Sequence, residues 1–182
     1  NQIKNVSNLS IGGDGGDENF FGYITFDAFY IANIIKRIFP KSFLEIFKIL
    51  TSFKNTSENY LSTGTKIKKF FESINLDREY LLPSWMSCLN LKDLNEMFNS
   101  KMNHDDLYED FKYIYHKEKD LMRRAQIYYF KFYLPMVLSK VDQASMYNSV
   151  ENRSPFISKK LINFSLSQKT SNLYTLFNKK KF

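Results

Sequence analysis

Apolar residues recur every three or four positions along most of this chain, which is the period of an amphipathic α-helix. Pro40 ends the first of these stretches, and Pro135 opens another because proline is tolerated in the first helical turn. The helices that the pattern predicts cover residues 26–39, 43–50, 66–74, 105–116, 118–134, 135–146 and 159–166. Short apolar groups around Pro83 predict short helices between residues 76 and 103. The fold is therefore expected to be predominantly α-helical.

Extended backbone is predicted in two short stretches. Residues 6–11 indicate a strand that feeds a glycine-rich turn, and residues 150–156 indicate an extended link because Pro155 disfavours helix at the preceding residue. Residues 55–64 are rich in Ser, Thr and Asn and predict a loop. A strand that ends in a glycine turn and is followed by a helix is how α/β sheets place ligands at the carboxyl ends of their strands.

The composition is that of a globular domain with a hydrophobic core. Of the 182 residues, 43% are hydrophobic and 17% aromatic, which excludes a disordered chain. The aromatic residues at helical spacing are assigned to the core, and Trp85 is expected to anchor packing there. Cys88 is the only cysteine, so it excludes an intramolecular disulfide, fits a reducing, cytoplasmic setting and is expected to be buried. His104 and His116 have no partner at metal-ligand spacing, so surface or helix-end positions are expected for both.

The basic balance of the chain does not by itself indicate a partner. The net charge is +7, but the lysines are spread along the sequence, and their one run is at residues 179–181. A spread of this kind is typical of compositional bias rather than of a basic patch. No apolar run approaches the length of a membrane span, and no leader is recognisable at the first residues. We therefore expect no nucleic acid, no membrane and no signal peptide.

One stretch concentrates candidate chemistry: residues 12–18, Gly-Gly-Asp-Gly-Gly-Asp-Glu, hold four of the six glycines. Glycine permits positive φ and close approach of a phosphate, and successive backbone N–H groups in such a turn can bind anions. Asp14, Asp17 and Glu18 add oxygen donors that suit Mg²⁺ carried by a nucleotide. The alternative is a tight turn at the surface whose acidic side chains are solvated and bind no ligand.

A second stretch, residues 140–156, carries Lys140, Asp142, Glu151 and Arg153. Two-residue spacing on a helix points Lys140 and Asp142 in different directions, so one can face a ligand while the other makes a structural pair. As a compact point charge, lysine suits a phosphate or an acyl-adenylate. For Glu151 and Arg153 we favour a structural role, in which charge-assisted bonds tie the extended link to helix ends.

Together the two stretches resemble the synthetase domain of the glutamine-hydrolysing asparagine synthetase family. That family reads roughly S-G-D-G-G-D-E-x-F-x-G-Y at the first site and K-x-D-R-x-S-M-x-x-S-x-E-x-R-x-P-F at the second. Both motifs occur here in the same order, and the resemblance extends from Asn5 to about Leu166. Two long motifs in order are far more specific than a single glycine motif.

The resemblance implies an α/β adenine-nucleotide alpha-hydrolase-like fold of the ATP-pyrophosphatase type, of which this piece is mainly helical with one or two short strands near its N-terminus. It implies a cytoplasmic ligase that adenylates the side chain of aspartate with ATP and Mg²⁺, after which ammonia derived from glutamine displaces AMP to give asparagine. Amidation of another carboxylate, such as a sugar acid or a peptide, and a non-catalytic helical interaction module remain as alternatives. A homodimer through a separate N-terminal domain is a further expectation.

Carried over residue by residue, the resemblance assigns Asp17 as the ligand of Mg²⁺ and pyrophosphate. Asp14 and Lys140 match catalytic positions, the first beside the acyl-adenylate and the second as a basic group facing the site. The matching substrate- and ATP-binding positions are Gly12, Gly13, Asp14 and Gly15. Asp142, Glu151 and Arg153 match the second motif as structural positions.

The chain also departs from the family pattern. Gly12 stands where Ser is usual, Phe21 where Gly is usual, and Met136 where an Asp commonly precedes the lysine; Ile157-Ser158 replaces Leu-Asp. The phosphate loop S-G-G-x-D-S, the glutaminase domain with its cysteine and a further lysine are not in this sequence. We therefore expect residues 1–182 to be the C-terminal part of an asparagine synthetase-like domain, inactive and marginally stable alone.

Overall fold

The computed structural model describes residues 3–40, 42–46 and 63–177. The helices within them are α1 (Gly16–Phe20), α2 (Ile24–Ile38), α3 (Thr63–Ser73), α4 (Leu81–Met86), α5 (Leu91–Phe98), α6 (His104–Lys117), α7 (Leu121–Tyr128), α8 (Leu134–Tyr147), α9 (Lys159–Ser167) and α10 (Thr170–Leu173). Short 3₁₀ turns cover Ile3–Asn5, Arg78–Tyr80 and Pro155–Ile157, and the strands are β1 (Leu9–Ile11) and β2 (Glu151–Arg153). The predominantly helical expectation is confirmed.

The predicted helices fall close to those observed. Residues 42–46 are helical, whereas the rest of the helix predicted over 43–50 and most of the loop predicted over 55–64 lie outside the described residues. Thr63 and Gly64 already belong to α3. Helix α6 begins with a full capping box, in which Asn103 and Asp106 each accept a hydrogen bond from the other's backbone N–H. Helix α7 begins only at Leu121, because Asp120 caps it by accepting from the Arg123 N–H at 2.8 Å.

The contacts divide the chain into two compact units. Unit 1 combines Asn1–Phe26 with Asp120–Phe182, and unit 2 is Asp27–Lys119. The expectation that residues 1–182 form part of one synthetase domain remains a prediction.

Unit 2 is a helical assembly around buried aromatic and aliphatic side chains. Trp85 is 9% exposed, its ring stacks on Phe70 with centroids 5.6 Å apart, and its indole N–H donates to the Ser73 hydroxyl. The predicted packing anchor is confirmed. Lys36, on α2, donates to the carbonyl oxygens of Ile74 and Leu76 at 2.7 and 2.6 Å, which satisfies backbone groups just beyond α3.

Unit 1 contains a parallel two-stranded sheet and a nearly continuous helical segment from Leu121 to Tyr147. Residues Tyr129–Tyr133 form a π-helical turn in this segment, where the Leu134 N–H bonds to the Tyr129 carbonyl five residues earlier. Pro135 explains the widened turn, because its ring has no N–H and would clash with the carbonyl of Lys131 in a regular α-helix.

Two expectations are corrected. Cys88 is exposed, not buried, because it lies in the short connection between α4 and α5. The second strand is not near the N-terminus but at Glu151–Arg153, within the predicted extended link. No helix among the described residues is long and apolar enough to cross a membrane.

Candidate active site

The sheet brings the two sequence motifs together. Strand β1 leads into the glycine turn, and β2 belongs to the second motif; they pair in parallel with Ser10 opposite Asn152. The ladder extends by one bond, from the Gly12 N–H to the Arg153 carbonyl at 2.8 Å. Because side chains alternate along a strand, Ser10 and Asn152 lie on one face of the sheet, and Leu9, Ile11, Glu151 and Arg153 lie on the other.

The glycine turn is packed against the segment that follows β2. Gly15 has φ +89°, and a Cβ on it would lie 2.6 Å from Ile157 Cγ2 and 3.2 Å from the Phe156 carbonyl carbon. Both the backbone conformation and the close approach therefore require glycine here. A Cβ on Gly13 would meet nothing within 4 Å, so Gly13 is the exposed, open position of the turn.

Asp14 ends a chain of polar side chains that runs along this face of the sheet. The Ser154 hydroxyl donates to Asp14 Oδ2 at 3.0 Å, and Asn152 Nδ2 lies 3.5 Å from Ser154 Oγ. The Ser10 hydroxyl donates to Asn152 Oδ1 at 2.9 Å. All four side chains belong to the two motifs or to the strand that precedes them.

Lys140 lies over the same face of the sheet. It is exposed on α8 and lines an open groove of about 680 Å³. The groove is lined by Ile3, Ser10, Lys140, Val141, Ala144, Ser145, Asn148, Val150 and Asn152. Lys140 thus shares a groove with Ser10 and Asn152. These two side chains are connected to Asp14 by hydrogen bonds through Ser154.

The two other carboxylates of the glycine turn differ in their surroundings. Glu18 is 1% exposed, and its Oε1 accepts from the Tyr23 hydroxyl at 2.9 Å, so it is not a solvent-facing oxygen donor. Burial raises the pKa of Glu18 above its ordinary value. Asp17 is half-buried in the first turn of α1. Burial, together with the charges of Glu18 and Asp17, raises the pKa of the Tyr133 hydroxyl.

Buried amides hold α1 in place. Asn19 donates to the carbonyl oxygens of Gly15 and Phe156 at 2.7 and 2.8 Å and accepts from the Ser165 hydroxyl at 2.6 Å. Gln126 donates to the carbonyl oxygens of Glu18 and Asn19, both at 3.1 Å. Since α1 has only five residues, its position depends on these bonds rather than on its own helical propensity.

Arg123 completes this network from α7. Its guanidinium donates to Gln126 Oε1, to the Ser165 carbonyl at 3.2 Å and to the Gln168 carbonyl at 2.5 Å. Arg123 is 8% exposed and Gln126 is 0% exposed. We call Asn19, Arg123, Gln126 and Ser165 the buried polar network.

Glu151, Arg153 and Asp142 of the second motif are more exposed than the buried polar network. The Arg153 Nε donates to Glu151 Oε1 at 2.8 Å, and the two side chains are 66% and 59% exposed. The expectation that these side chains tie the link to helix ends is wrong, because they pair with each other. The link is instead held by backbone hydrogen bonds between β2 and β1. Asp142 is exposed on α8 and, among the described residues, is not part of the groove lining, in agreement with its two-residue offset from Lys140.

Sequence reasoning missed the side chains that support the motif residues. Asn152 and Ser154 stand at positions that the family pattern leaves open, and Gln126, Arg123 and Tyr133 lie between the motifs. Residue type gave no signal for Arg123 and Gln126, because arginine and glutamine on a helix are mostly exposed. The described residues contain no group of three or more His, Cys, Asp or Glu side chains that could hold a metal ion.

The sequence model of the asparagine synthase family matches residues 1–180. Searches of curated proteins and of solved structures gave no match.

Proposed function

The chain belongs to the asparagine synthase family, and we propose that its full-length protein adenylates aspartate with Mg²⁺-ATP and forms asparagine with ammonia derived from glutamine. Membership indicates an ATP-dependent, amidotransferase-type synthetase. Aspartate, glutamine and Mg²⁺ are the finer parts of the proposal.

The observation that carries the proposal is the pairing of β1 with β2. It brings the polar chain that ends at Asp14 and the groove that contains Lys140 to the same face of one sheet. An amidation of a carboxylate needs a place where a cation and an oriented acidic group meet a small polar substrate. An open groove with Lys140 and the Asn152 amide on its walls provides hydrogen-bond donors for such an anion, whereas the Ser10 hydroxyl already donates to Asn152.

Asp17 fits a magnesium ion that arrives with a nucleotide. Mg²⁺ keeps several waters and is commonly held by one or two carboxylates together with substrate phosphates, so a site of three protein ligands is not needed. Asp17 supplies one carboxylate, whereas Glu18 is buried against Tyr23 and does not fit as a ligand. When bound, the ion would stabilise the negative charge that develops on pyrophosphate.

In the proposed reaction the acceptor carboxylate attacks the α-phosphorus of ATP, and pyrophosphate leaves. Ammonia then attacks the acyl carbon, and AMP leaves with the electrons of the broken C–O bond. Lys140 would hold the phosphate of the acyl-adenylate by charge, and Asp14 would orient the polar end of the acceptor. Both roles are positional and electrostatic, which is how such steps are mainly accelerated.

Asp17 gives the most direct test. We expect Asp17→Asn to lower pyrophosphate release by the full-length protein by about a hundredfold or more, as loss of one preorganised charged contact does. Asp110→Asn, which removes an exposed carboxylate on α6, is the matched control and should leave the rate unchanged. A normal rate of pyrophosphate release from Asp17→Ala would overturn the assignment.

The acceptor is tested with a panel of carboxylates. Pyrophosphate release with aspartate, and little with sugar acids or carboxyl-terminal peptides, supports the proposal; a preference for another carboxylate supports the alternative acceptor. Met136, one helical turn before Lys140, is 59% exposed and brings no charge to the groove, which is the observation that favours a non-catalytic module. ATP binding without pyrophosphate release for any acceptor would establish that alternative.

A further inference from the structure

Gly12 stands where the family usually has Ser, and the side chain of Asn152 on β2 lies next to it. A Cβ on Gly12 would lie 2.8 Å from Asn152 Nδ2, 3.2 Å from Asn152 Oδ1 and 2.8 Å from Asp14 Oδ2. At these distances the ends of the Asn152 and Asp14 side chains would have to shift to admit a Cβ. The Asn152 amide and the Asp14 carboxylate therefore occupy the space that a serine side chain at position 12 needs.

The donors and acceptors in this region form a chain of fixed direction. An ionised carboxylate only accepts hydrogen bonds, so the Ser154 hydroxyl donates to Asp14 and its oxygen is left to accept from Asn152 Nδ2. The Asn152 carbonyl oxygen then accepts from the Ser10 hydroxyl. Because every bond points the same way, the charge of Asp14 sets the orientation of three neutral side chains, and they orient the carboxylate in return.

We propose that Ser154, supported by Asn152 and Ser10, is a positioning residue that fixes the orientation of the Asp14 carboxylate next to the groove that contains Lys140, and that Gly12 leaves room for this chain of hydrogen bonds. The inference rests on the proposed function, since it assigns Asp14 to the acceptor. Asn152 joins the two parts physically: it lines the groove and also lies beside Ser154. Ser154, Asn152 and Gly12 thus act as one specificity-determining set.

The first test separates the hydroxyl of Ser154 from its shape. In the full-length protein, Ser154→Val should lower kcat/KM for the acceptor by roughly 10- to 100-fold, the usual effect of losing a hydrogen bond to a charged group, and leave the KM for ATP unchanged. Ser154→Thr has nearly the same shape but keeps the hydroxyl, so it should recover activity to within about threefold. Ser167→Ala, which removes an exposed hydroxyl that bonds only within α9, is the control and should behave as wild type.

The second test is a double-mutant cycle in which urea unfolding of the same protein is measured. Gly12→Ser alone should destabilise the protein by displacing the Asn152 amide, and the cost should fall when Asn152→Ala is added, because one of the two obstructing side chains is then removed. Additive effects would overturn the pairing of Gly12 with Asn152. This cycle does not depend on turnover.

The outcomes separate the two proposals. If wild type turns over while Ser154→Thr and Ser154→Val are equally impaired or equally active, the positioning role is wrong and the proposed function stands. If wild type releases no pyrophosphate with any carboxylate, the proposed function is wrong and the positioning role falls with it. In that case the unfolding cycle still decides whether Asn152 excludes a side chain at position 12.

Discussion

The two units of this protein use buried polar groups in different ways. In unit 1 the amides of Asn19 and Gln126 bind main-chain carbonyls of distant segments and connect through Arg123 into one buried polar network. In unit 2 the buried polar side chains of Asn33 and Ser73 bond to carbonyls of their own helices, at Phe29 and Lys69. Both units also pack aromatic rings: Tyr23 stacks on Tyr129 in unit 1, and Phe70 stacks on Trp85 in unit 2.

This difference follows from what each unit has to position. A satisfied network of directional bonds between distant segments specifies how those segments pack, whereas a bond within one helix does not. The buried polar network binds α1, which carries Asp17. It also binds the carbonyl of Phe156, which lies two residues after Ser154. Unit 1 therefore holds the candidate site with bonds that have a defined length and direction.

The largest expected effect is at the packing anchor of unit 2. Trp85→Ala should lower the free energy of unfolding of unit 2 by about 3–5 kcal/mol, because it removes a buried indole and leaves a cavity. Trp85→Phe keeps a ring against Phe70 but loses the bond to Ser73 and part of the buried ring, so it should cost less, about 1–2 kcal/mol. Hydrogen exchange measured peptide by peptide would show the loss of protection over residues 63–117. Equal costs for the two variants would contradict the ring-packing account.

The next effect is expected in the buried polar network. Gln126→Leu keeps approximate volume but leaves the Glu18 and Asn19 carbonyls and one Arg123 donor without their partner, which should cost about 3 kcal/mol. Exchange protection should fall in peptides covering residues 16–22 and 121–128, more than in peptides from unit 2. Unchanged protection in those peptides would show that the network is not needed to hold α1. Gln143→Leu, on the exposed side of α8, is the matched control.

The smallest effect is a dependence of unit 1 stability on pH. Burial raises the pKa of Glu18 in the folded state above its ordinary value of 4.5, so the folded protein binds this proton more tightly than the unfolded chain. The contribution of Glu18 to stability is therefore complete below about pH 4.5 and is lost as the pH rises through the raised folded value. Glu18→Gln imitates the protonated group and keeps an oxygen for the Tyr23 hydroxyl.

Urea unfolding at several pH values checks this expectation. The free energies of unfolding of wild type and Glu18→Gln should be similar in acid. As the pH rises toward neutrality, the variant should become more stable than wild type. A constant difference between the two proteins at all pH values would show that Glu18 does not titrate with folding. Glu45→Gln, an exposed carboxylate outside unit 1, controls for the loss of a negative charge.

One departure from the family pattern is offset within unit 1. Phe21 replaces glycine but has φ +55°, a conformation that costs a non-glycine residue about 1–2 kcal/mol. Its ring is 1% exposed and packs against Phe26 and Tyr174 with centroids 4.9 and 5.6 Å apart. Burial of an aromatic side chain is worth more than this strain, so phenylalanine is accommodated where glycine would be conformationally free.

Much of the fold and part of the site could be predicted from the sequence. Helices α2, α6 and α8 follow from apolar periodicity, and Pro40 and Pro135 mark the end of α2 and the start of α8, since these are signals contained within about one helical turn. The motif residues followed from their resemblance to a family. Cys88 was misplaced because a short apolar group between two helices gives no indication of which side chain faces solvent.

The sequence by itself determined which segments are helical and which residues match the family motifs, because both depend on residue type and local order along the chain. Only the tertiary structure decided that Ser10 meets Asn152, 142 positions away, that Glu18 turns into the core while Asp17 stays half-buried, and that Asn152 fills the space beside Gly12. These are contacts between segments that no local pattern connects. They arise because the parallel pairing of β1 and β2 fixes one register, and that register sets which side chains share a face.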